Sequence, residues 1–349
     1  MGYRSIMVGT DGSETATRAV RAATTLAKSF MGAQVQIVCA HGAGGVDEEV
    51  AKEVLRYARE AVRAQGLETR THMRAGDPDS VITELAERQG ADLIVVGNVG
   101  MGKARRFKLG GIAEQVAHGA PCDVLIVHTT EGDERTEPYR RVVIGTDGSA
   151  TATEAARKGF ELAEVTDATV TLVYVGDPLI GAIVLEQTAA DRPGSATVNS
   201  RVEDGDPAER IVEIAGKDAA DLVVVGNKGF AGARRYLLGS IPVKVAHESP
   251  TDVLVAKTVG RSIDDLAPGH GGLVDVGGRK LAVYKAEDGS VVALSPRCQH
   301  MGCTVDWNDA DQTWDCPCHG SRYARDGEVI KGPAKKNLDR EELVEPSVG

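Results

Sequence analysis

A long internal repeat limits what this chain can fold into more than any other feature. "IMVGTDGSETATRAV" at 6–20 returns as "VVIGTDGSATATEAA" at 142–156, and "ADLIVVGNVGMGKARRFKLGG" at 91–111 returns as "ADLVVVGNKGFAGARRYLLGS" at 220–240. "VAHGAPCDVLIV" at 116–127 returns as "VAHESPTDVLVA" at 245–256. Asp11 and Asp147 stand 136 residues apart and Gly97 and Gly226 stand 129 apart, so the second copy has lost seven residues from its middle. A period this long means a duplicated domain, since solenoid repeats run to about 20–50 residues.

Within each copy, short β-rich runs alternate with helical patterns. The first copy reads strand 4–10, helix 14–31, strand 34–40, helix 46–65, strand 68–75, helix 78–89 and strand 92–97. A glycine-rich loop, a helix near 111–118 and strand 123–128 complete it. The unbroken runs LIVV and LVVV imply strands buried on both faces, hence a parallel sheet covered by helices. The second copy keeps this order, but "GDPLIGAIVLEQTAADRPGS" leaves only a short second helix. The polar stretch 129–139 breaks the periodicity and reads as a linker. Beyond about residue 259, "GLVDVGG", "KLAVYKA" and "SVVALS" alternate between glycine-bearing turns, as a small all-β module does. The expected fold is α/β: two tandem doubly wound parallel-sheet domains, 1–130 and 139–259, plus an all-β domain at 262–345. The final "EPSVG" reads as a loose tail.

Bulk properties narrow the function. The formal charge of -11 is spread without a basic block, which argues against nucleic acid as a partner. The N-terminus lacks a secretory apolar region, and no apolar run approaches the ~20 residues that span a bilayer. A soluble, cytoplasmic protein with no membrane partner is expected. In a reducing compartment, clustered cysteines point to metal or redox chemistry.

Both copies end their first strand in Thr-Asp-Gly-Ser and follow their fourth with a glycine loop leading to a helix. In a parallel sheet these are neighbouring carboxyl-end positions, where open α/β folds bind ligands. An Asp there can accept hydrogen bonds from ribose hydroxyls, and free N–H groups at a helix start hold phosphate. The second copy spaces its loop as Gly226, two residues, Gly229, nine residues, Gly239, Ser240. This resembles the universal stress protein family, whose ATP-binding members carry Gly-x2-Gly-x9-Gly-Ser/Thr, and the resemblance covers about residues 3–257. It implies ribose binding at Asp147 and phosphate binding at Gly226, Gly229, Gly239 and Ser240. The first copy keeps Asp11, Gly97, Gly100 and Gly110, but Gly111 replaces the hydroxyl residue, so the second site is favoured for ATP. The resemblance also implies an intramolecular pseudo-dimer through edges near 123–128 and 252–256, and homo-oligomers are open to it.

Other readings of the same residues are weaker. "GNVGMGKA" at 97–104 mimics a P-loop, but Ala104 replaces the hydroxyl that ligates Mg²⁺, and Ala231 interrupts the second copy's loop. The glycines taken alone make an ordinary strand-to-helix turn. His118 and His247 occupy matching places and read as structural, while Arg105–Arg106 and Arg234–Arg235 fit either phosphate flanks or exposed loops. Cys39 and Cys122 have no motif partners and read as small hydrophobes.

The remaining cysteines concentrate in "CQHMGC" at 298–303 and "CPCHGSRY" at 316–323. Two cysteines and two histidines can hold zinc or an iron–sulfur cluster. Each half offers a Cys, a His and a further Cys instead of a zinc-ribbon knuckle. Over roughly 262–345 the chain resembles Rieske 2Fe–2S domains. By position the resemblance implies Cys298 and Cys316 on one iron and His300 and His319 on the other. It also implies a Cys303–Cys318 disulfide, a cluster-covering loop at "GPAKKNL" (332–338), and potential-raising hydroxyls at Ser321 and Tyr323. Neutral imidazoles in place of thiolates make an added electron cheaper, so Rieske centres lie at about -150 to +300 mV.

Thirty residues follow His319 and none is a histidine, so no mononuclear iron site for oxygen chemistry is evident. The expected function is a nucleotide-binding stress protein with a fused one-electron relay acting with a separate redox partner, and without a complete catalytic site of its own. A ferredoxin-like donor to a separate oxygenase or reductase, and a redox sensor, are the alternatives.

Overall fold

The computed structural model describes the chain except residues 1, 43, 100–108, 129–137, 193, 195, 228–238, 258–262, 264–265, 277–278, 301, 310, 317–318 and 344–349. It divides into two compact units, Met1–Thr258 and Val259–Gly349.

In the first unit each copy contributes five parallel strands. The first copy runs β1 (Ser5–Gly9), α1 (Glu14–Ser29), β2 (Gln34–His41), α2 (Glu48–Ala64), β3 (Thr69–Ala75), α3 (Pro78–Gln89), β4 (Leu93–Gly97), α4 (Gly111–Gly119) and β5 (Asp123–Val127). The second runs β6 (Arg141–Gly145), α5 (Ala150–Thr166), β7 (Thr169–Val175), α6 (Pro178–Ala190), β8 (Val198–Glu203), α7 (Pro207–Lys217), β9 (Leu222–Gly226), α8 (Ser240–Glu248) and β10 (Asp252–Ala256). Helices start where the local chemistry satisfies their free N–H groups. Ser13 and Ser149 accept from Ala16 N and Ala152 N at 3.3 Å, and Pro78, Pro178 and Pro207 open their helices. The second copy's second helix has 13 residues against 17 in the first. No described helix is long and apolar enough to cross a membrane.

The ten strands form one sheet in the order β3-β2-β1-β4-β5-β10-β9-β6-β7-β8. The copies meet at its centre, where β5 and β10 pair antiparallel with Leu125 opposite Leu254, and these strands are buried. Polar side chains flank the seam twice. Asp123 accepts from Tyr3 Oη at 2.8 Å, Lys257 N at 2.7 Å and Lys158 Nζ at 2.6 Å. Asp252 accepts from Tyr139 Oη at 2.8 Å and His128 N at 2.9 Å. Tyr139 closes the segment expected as linker, yet it is buried because this carboxylate holds it; residues 129–137 lie outside the description. Cys39 and Cys122 are buried, and burial pushes both thiols up.

The second unit is all β. A three-stranded sheet of β11 (His270–Val276), β12 (Arg279–Lys285) and β13 (Val291–Leu294) accompanies a four-stranded one. The latter comprises β14 (Asp306–Asn308), β15 (Thr313–Asp315), β16 (Arg322–Tyr323) and β17 (Val329–Lys331). Trp314, Tyr323, Val305 and Leu294 are fully buried in its core. The expected tail at 345–349 lies outside the described residues.

Candidate functional sites

In the first copy β1 lies between β2 and β4, so a crevice opens beyond the carboxyl ends of β1 and β4. A cavity of about 700 Å³ occupies it, within the range of about 300–1,000 Å³ that small-molecule sites span. Val38, Ala40, Val46 and Ile82 wall one side with apolar surface, and Asp11, at the end of β1, offers a carboxylate. α4 begins after Gly110 with no side-chain cap among the described residues, and its first residues, Gly111–Ala113, line the cavity. Free N–H groups and the positive helix end favour an anion there. Gly97 must be glycine, because a Cβ would lie 2.9 Å from the backbone of Thr15; Gly226 would meet Thr151 at the same distance. Gly100 and Arg105–Arg106 lie outside the described residues.

The wall carrying Val46 went unrecognised in the sequence, where helix 46–65 was expected. The helix starts at Glu48, and Val46 is held outside it by a bridge to His41. β1–β2 and β6–β7 share one register, which equates His41 with Gly176. Asp47 and Asp177 are the N-caps of α2 and α6, and Val54 and Val184 sit against Gly12 and Gly148. Residues 42–46, Gly-Ala-Gly-Gly-Val, therefore have no counterpart in the second copy and are five of its seven missing residues. There β7 leads through Gly176 and Asp177 straight into α6.

The second copy keeps the polar parts. Asp147 accepts from Ser149 N at 3.0 Å and Ser149 Oγ at 2.6 Å. Gly239 N donates to Asn227 O at 2.8 Å, as Gly110 N does to Asn98 O at 2.6 Å. Ser240 opens α8, again without a side-chain cap. Gly229, Ala231 and Arg234–Arg235 lie outside the described residues. His247 Nε2 stands 3.6 Å from Glu114 Oε2 between the copies, and burial holds the His118 imidazole below its usual range.

In the second unit, two loops adopt one turn. Cys298 N donates to Cys303 O and Cys316 N to Ser321 O, both at 2.7 Å, while Gly302 N and Gly320 N return to the two cysteine carbonyls. Gly302 and Gly320 have φ of 75° and 73°, a region suited to glycine. The turns leave Cys298 and Cys316 buried and His300 and His319 exposed. The two imidazoles lie edge to face with centroids 4.9 Å apart.

The Tyr323 hydroxyl is 3.1 Å from Cys298 Sγ and accepts from Gln299 N at 3.1 Å. Burial raises the Cys298 thiol, but hydrogen bonds from Tyr323, His300 N and neighbouring side chains outweigh it and hold the thiol below its ordinary value. Burial, then the bond to Cys298, keeps the Tyr323 phenol well above its usual range and thus protonated. Ser321 Oγ is fully buried and accepts from Ala334 N at 3.0 Å, which seats the 332–338 loop on the second turn.

Among the described residues no three His, Cys, Asp or Glu side chains are grouped closely enough for one ion. Two buried sulfurs and two exposed imidazoles suit a pair of irons better than a single zinc. The described residues form no disulfide with Cys303, which is half-buried; Cys318 lies outside them.

Residues 2–128, 138–184 and 179–257 match the universal stress protein family, and residues 257–342 match the Rieske [2Fe-2S] domain. A universal stress protein of Mycolicibacterium smegmatis is 31% identical over 295 residues, covering 72% of this chain and 96% of its own. A Bacillus subtilis protein named for a Rieske 2Fe-2S centre is 45% identical over 80 residues, 23% of this chain; the match spans 16% of that relative's length. A universal stress protein structure from Archaeoglobus fulgidus shares the fold with a TM-score of 0.57 and 21% identity, covering 72% of this chain and 98% of its own.

Proposed function

The chain belongs to the universal stress protein family and carries a C-terminal Rieske domain, and from that premise we propose that it binds an adenine nucleotide, ATP foremost, and passes single electrons through a 2Fe–2S cluster. The nucleotide reading rests on the cavity of the first copy. Its apolar wall suits a purine, Asp11 suits ribose hydroxyls, and the start of α4 suits phosphate. This reverses the preference that the loop motif alone gives, since the second copy holds Ser240 but lacks the 42–46 wall. Gly239, Ser240 and Asp147 there still suit a phosphate-bearing ligand.

The electron-transfer reading rests on the paired turns. Cys298 and Cys316 would hold one iron in the buried half of the site, and His300 and His319 the other at the surface. A bound 2Fe–2S cluster takes up and releases one electron. The histidines offer the route by which it is exchanged, and Tyr323 and Ser321 donate toward sulfur, which favours the reduced state and raises the potential. A Cys303–Cys318 disulfide would tie the two turns together. A separate redox protein completes the relay, whether the chain serves as a donor to an oxygenase or reductase or as a sensor.

Two measurements test the proposal. Electron paramagnetic resonance of the reduced, anaerobically purified chain should give a rhombic Rieske signal, with iron and acid-labile sulfide in equal amounts. Zinc without sulfide would end the electron-transfer reading. Calorimetric ATP titration should lose its heat in Asp11→Ala and keep most of it in Asp147→Ala; the reverse pattern would move the site to the second copy.

A further inference from the structure

We propose that the cluster-bearing end of the second unit docks an acidic one-electron carrier protein, with Arg297, Lys335, Lys336 and Arg340 as the docking surface. This rests on the electron-transfer reading and adds the partner's chemistry to it. The four cations reach the ligand turns from three segments. Arg297 immediately precedes Cys298. Lys335 and Lys336 follow Ala334, which is buried and donates to Ser321 Oγ at 3.0 Å in the second turn. Arg340 follows Asp339, whose carboxylate accepts from Gln299 Nε2 at 2.9 Å, and Gln299 lies between Cys298 and His300.

All four are exposed, as are His300 and His319. None of the four side chains makes an ion pair among the described residues. Two other basic groups of the unit are engaged: Arg322 meets Asp311 at 2.8 Å and Asp315 at 2.9 Å, and the Arg325 guanidinium lies 5.6 Å from the Tyr284 ring centroid. Of the acids that flank Arg340 in the sequence, Asp339 accepts from Gln299, and Glu341 and Glu342 have partners of their own. In a chain of formal charge -11, these exposed cations sit on segments that adjoin or hydrogen-bond to the two ligand turns. Unpaired surface cations add little to folding, but a one-signed patch steers an oppositely charged partner and raises its association rate. In the transfer step the reduced carrier loses one electron, the oxidised cluster gains it, and no atom moves.

The probe is a reduced plant-type ferredoxin, an acidic carrier whose all-thiolate cluster lies at lower potential, so the electron flows downhill. Its binding to the cluster-loaded chain is measured by calorimetry and its electron transfer by stopped flow, across a salt series. Both should weaken as salt rises, because screening shortens to about 8 Å at physiological ionic strength. Lys335→Glu with Lys336→Glu should weaken both by about ten-fold or more, and the Gln pair by a smaller factor. The resonance signal and reduction by dithionite should stay unchanged in both variants. Salt-indifferent binding, indifference to charge reversal, tighter binding of the basic carrier cytochrome c, or salt-dependent self-association in place of ferredoxin binding would each overturn the proposal. An absent cluster signal would bring down the electron-transfer reading and this proposal with it; a normal signal with indifferent binding would bring down this proposal alone.

Discussion

The two copies of the first unit carry nearly the same motif and differ in what surrounds it. Each has the strand-end aspartate, the fourth-strand glycine and an uncapped helix start. The first copy adds five residues, of which Gly44, Gly45 and Val46 wall a cavity, and the second adds a hydroxyl at Ser240. The seam differs too: Lys158 pairs with Asp123, whereas the equivalent position beside Asp252 is Ala22, which borders a cavity of about 30 Å³. The glycine pattern describes where an anion can sit. The volume for the rest of a ligand comes from a loop outside the pattern.

Breaking the seam should have the largest effect. Lys158→Met leaves a buried carboxylate short of its cation, and removing one partner of such a pair costs about 3–5 kcal/mol. Chemical denaturation should show it, and a loss under about 1 kcal/mol would mean that water screens the pair. Acid should act next, on the other side of the seam. His128 is buried, bonds Ala246 O through Nε2 at 3.1 Å, and finds no partner for Nδ1 among the described residues. Burial lowers its pKa to about 4, with Arg18 and His247 adding a little. The unfolded ring takes a proton below about pH 6.5 and the folded ring only near pH 4. Stability is therefore full above pH 6.5 and falls by about 3 kcal/mol as pH drops to 4. His128→Gln should flatten that limb; an unaltered acid profile would assign it to other groups.

Deleting residues 42–46 comes third. Losing the wall that Val46 provides should weaken nucleotide binding by about 10- to 100-fold, the equivalent of exposing one apolar side chain. Inserting the same five residues after Gly176 would sharpen the contrast if the second copy gained affinity. Gly111→Ser should have the smallest effect. A Cβ at Gly111 meets nothing within 4 Å, so the hydroxyl of the second copy can be restored without strain, adding about 1 kcal/mol to phosphate binding. Weaker binding would show that the first copy uses that space for something other than phosphate.

The repeat made most of this fold legible. Strand and helix periods appeared twice, and unbroken Val/Ile/Leu runs announced a helix-covered sheet. The paired turns were legible because cysteine, histidine and glycine have few alternative uses at that spacing. The cavity wall was not. Gly44, Gly45 and Val46 look like any strand-to-helix connection, and Val46 continues the helical period of the residues after it. Tyr139 was obscured by the polar run before it, although Tyr3 stands at the equivalent position of the first copy. The seam carboxylates Asp123 and Asp252 were visible as a repeated pair, but their partners come from distant stretches that only the β5–β10 pairing brings together.

That pairing joins two halves encoded in one chain. In a symmetric homodimer every substitution at the shared surface occurs twice, so a residue must suit both its neighbour and its own image. Here each side of the β5–β10 contact mutates alone. Lys158 could arise without a second lysine opposite, His128 could face a carboxylate whose counterpart holds Lys257, and one pocket could lose a wall while its sister kept it. Carrying both copies in one chain frees the two halves from the obligation to stay identical.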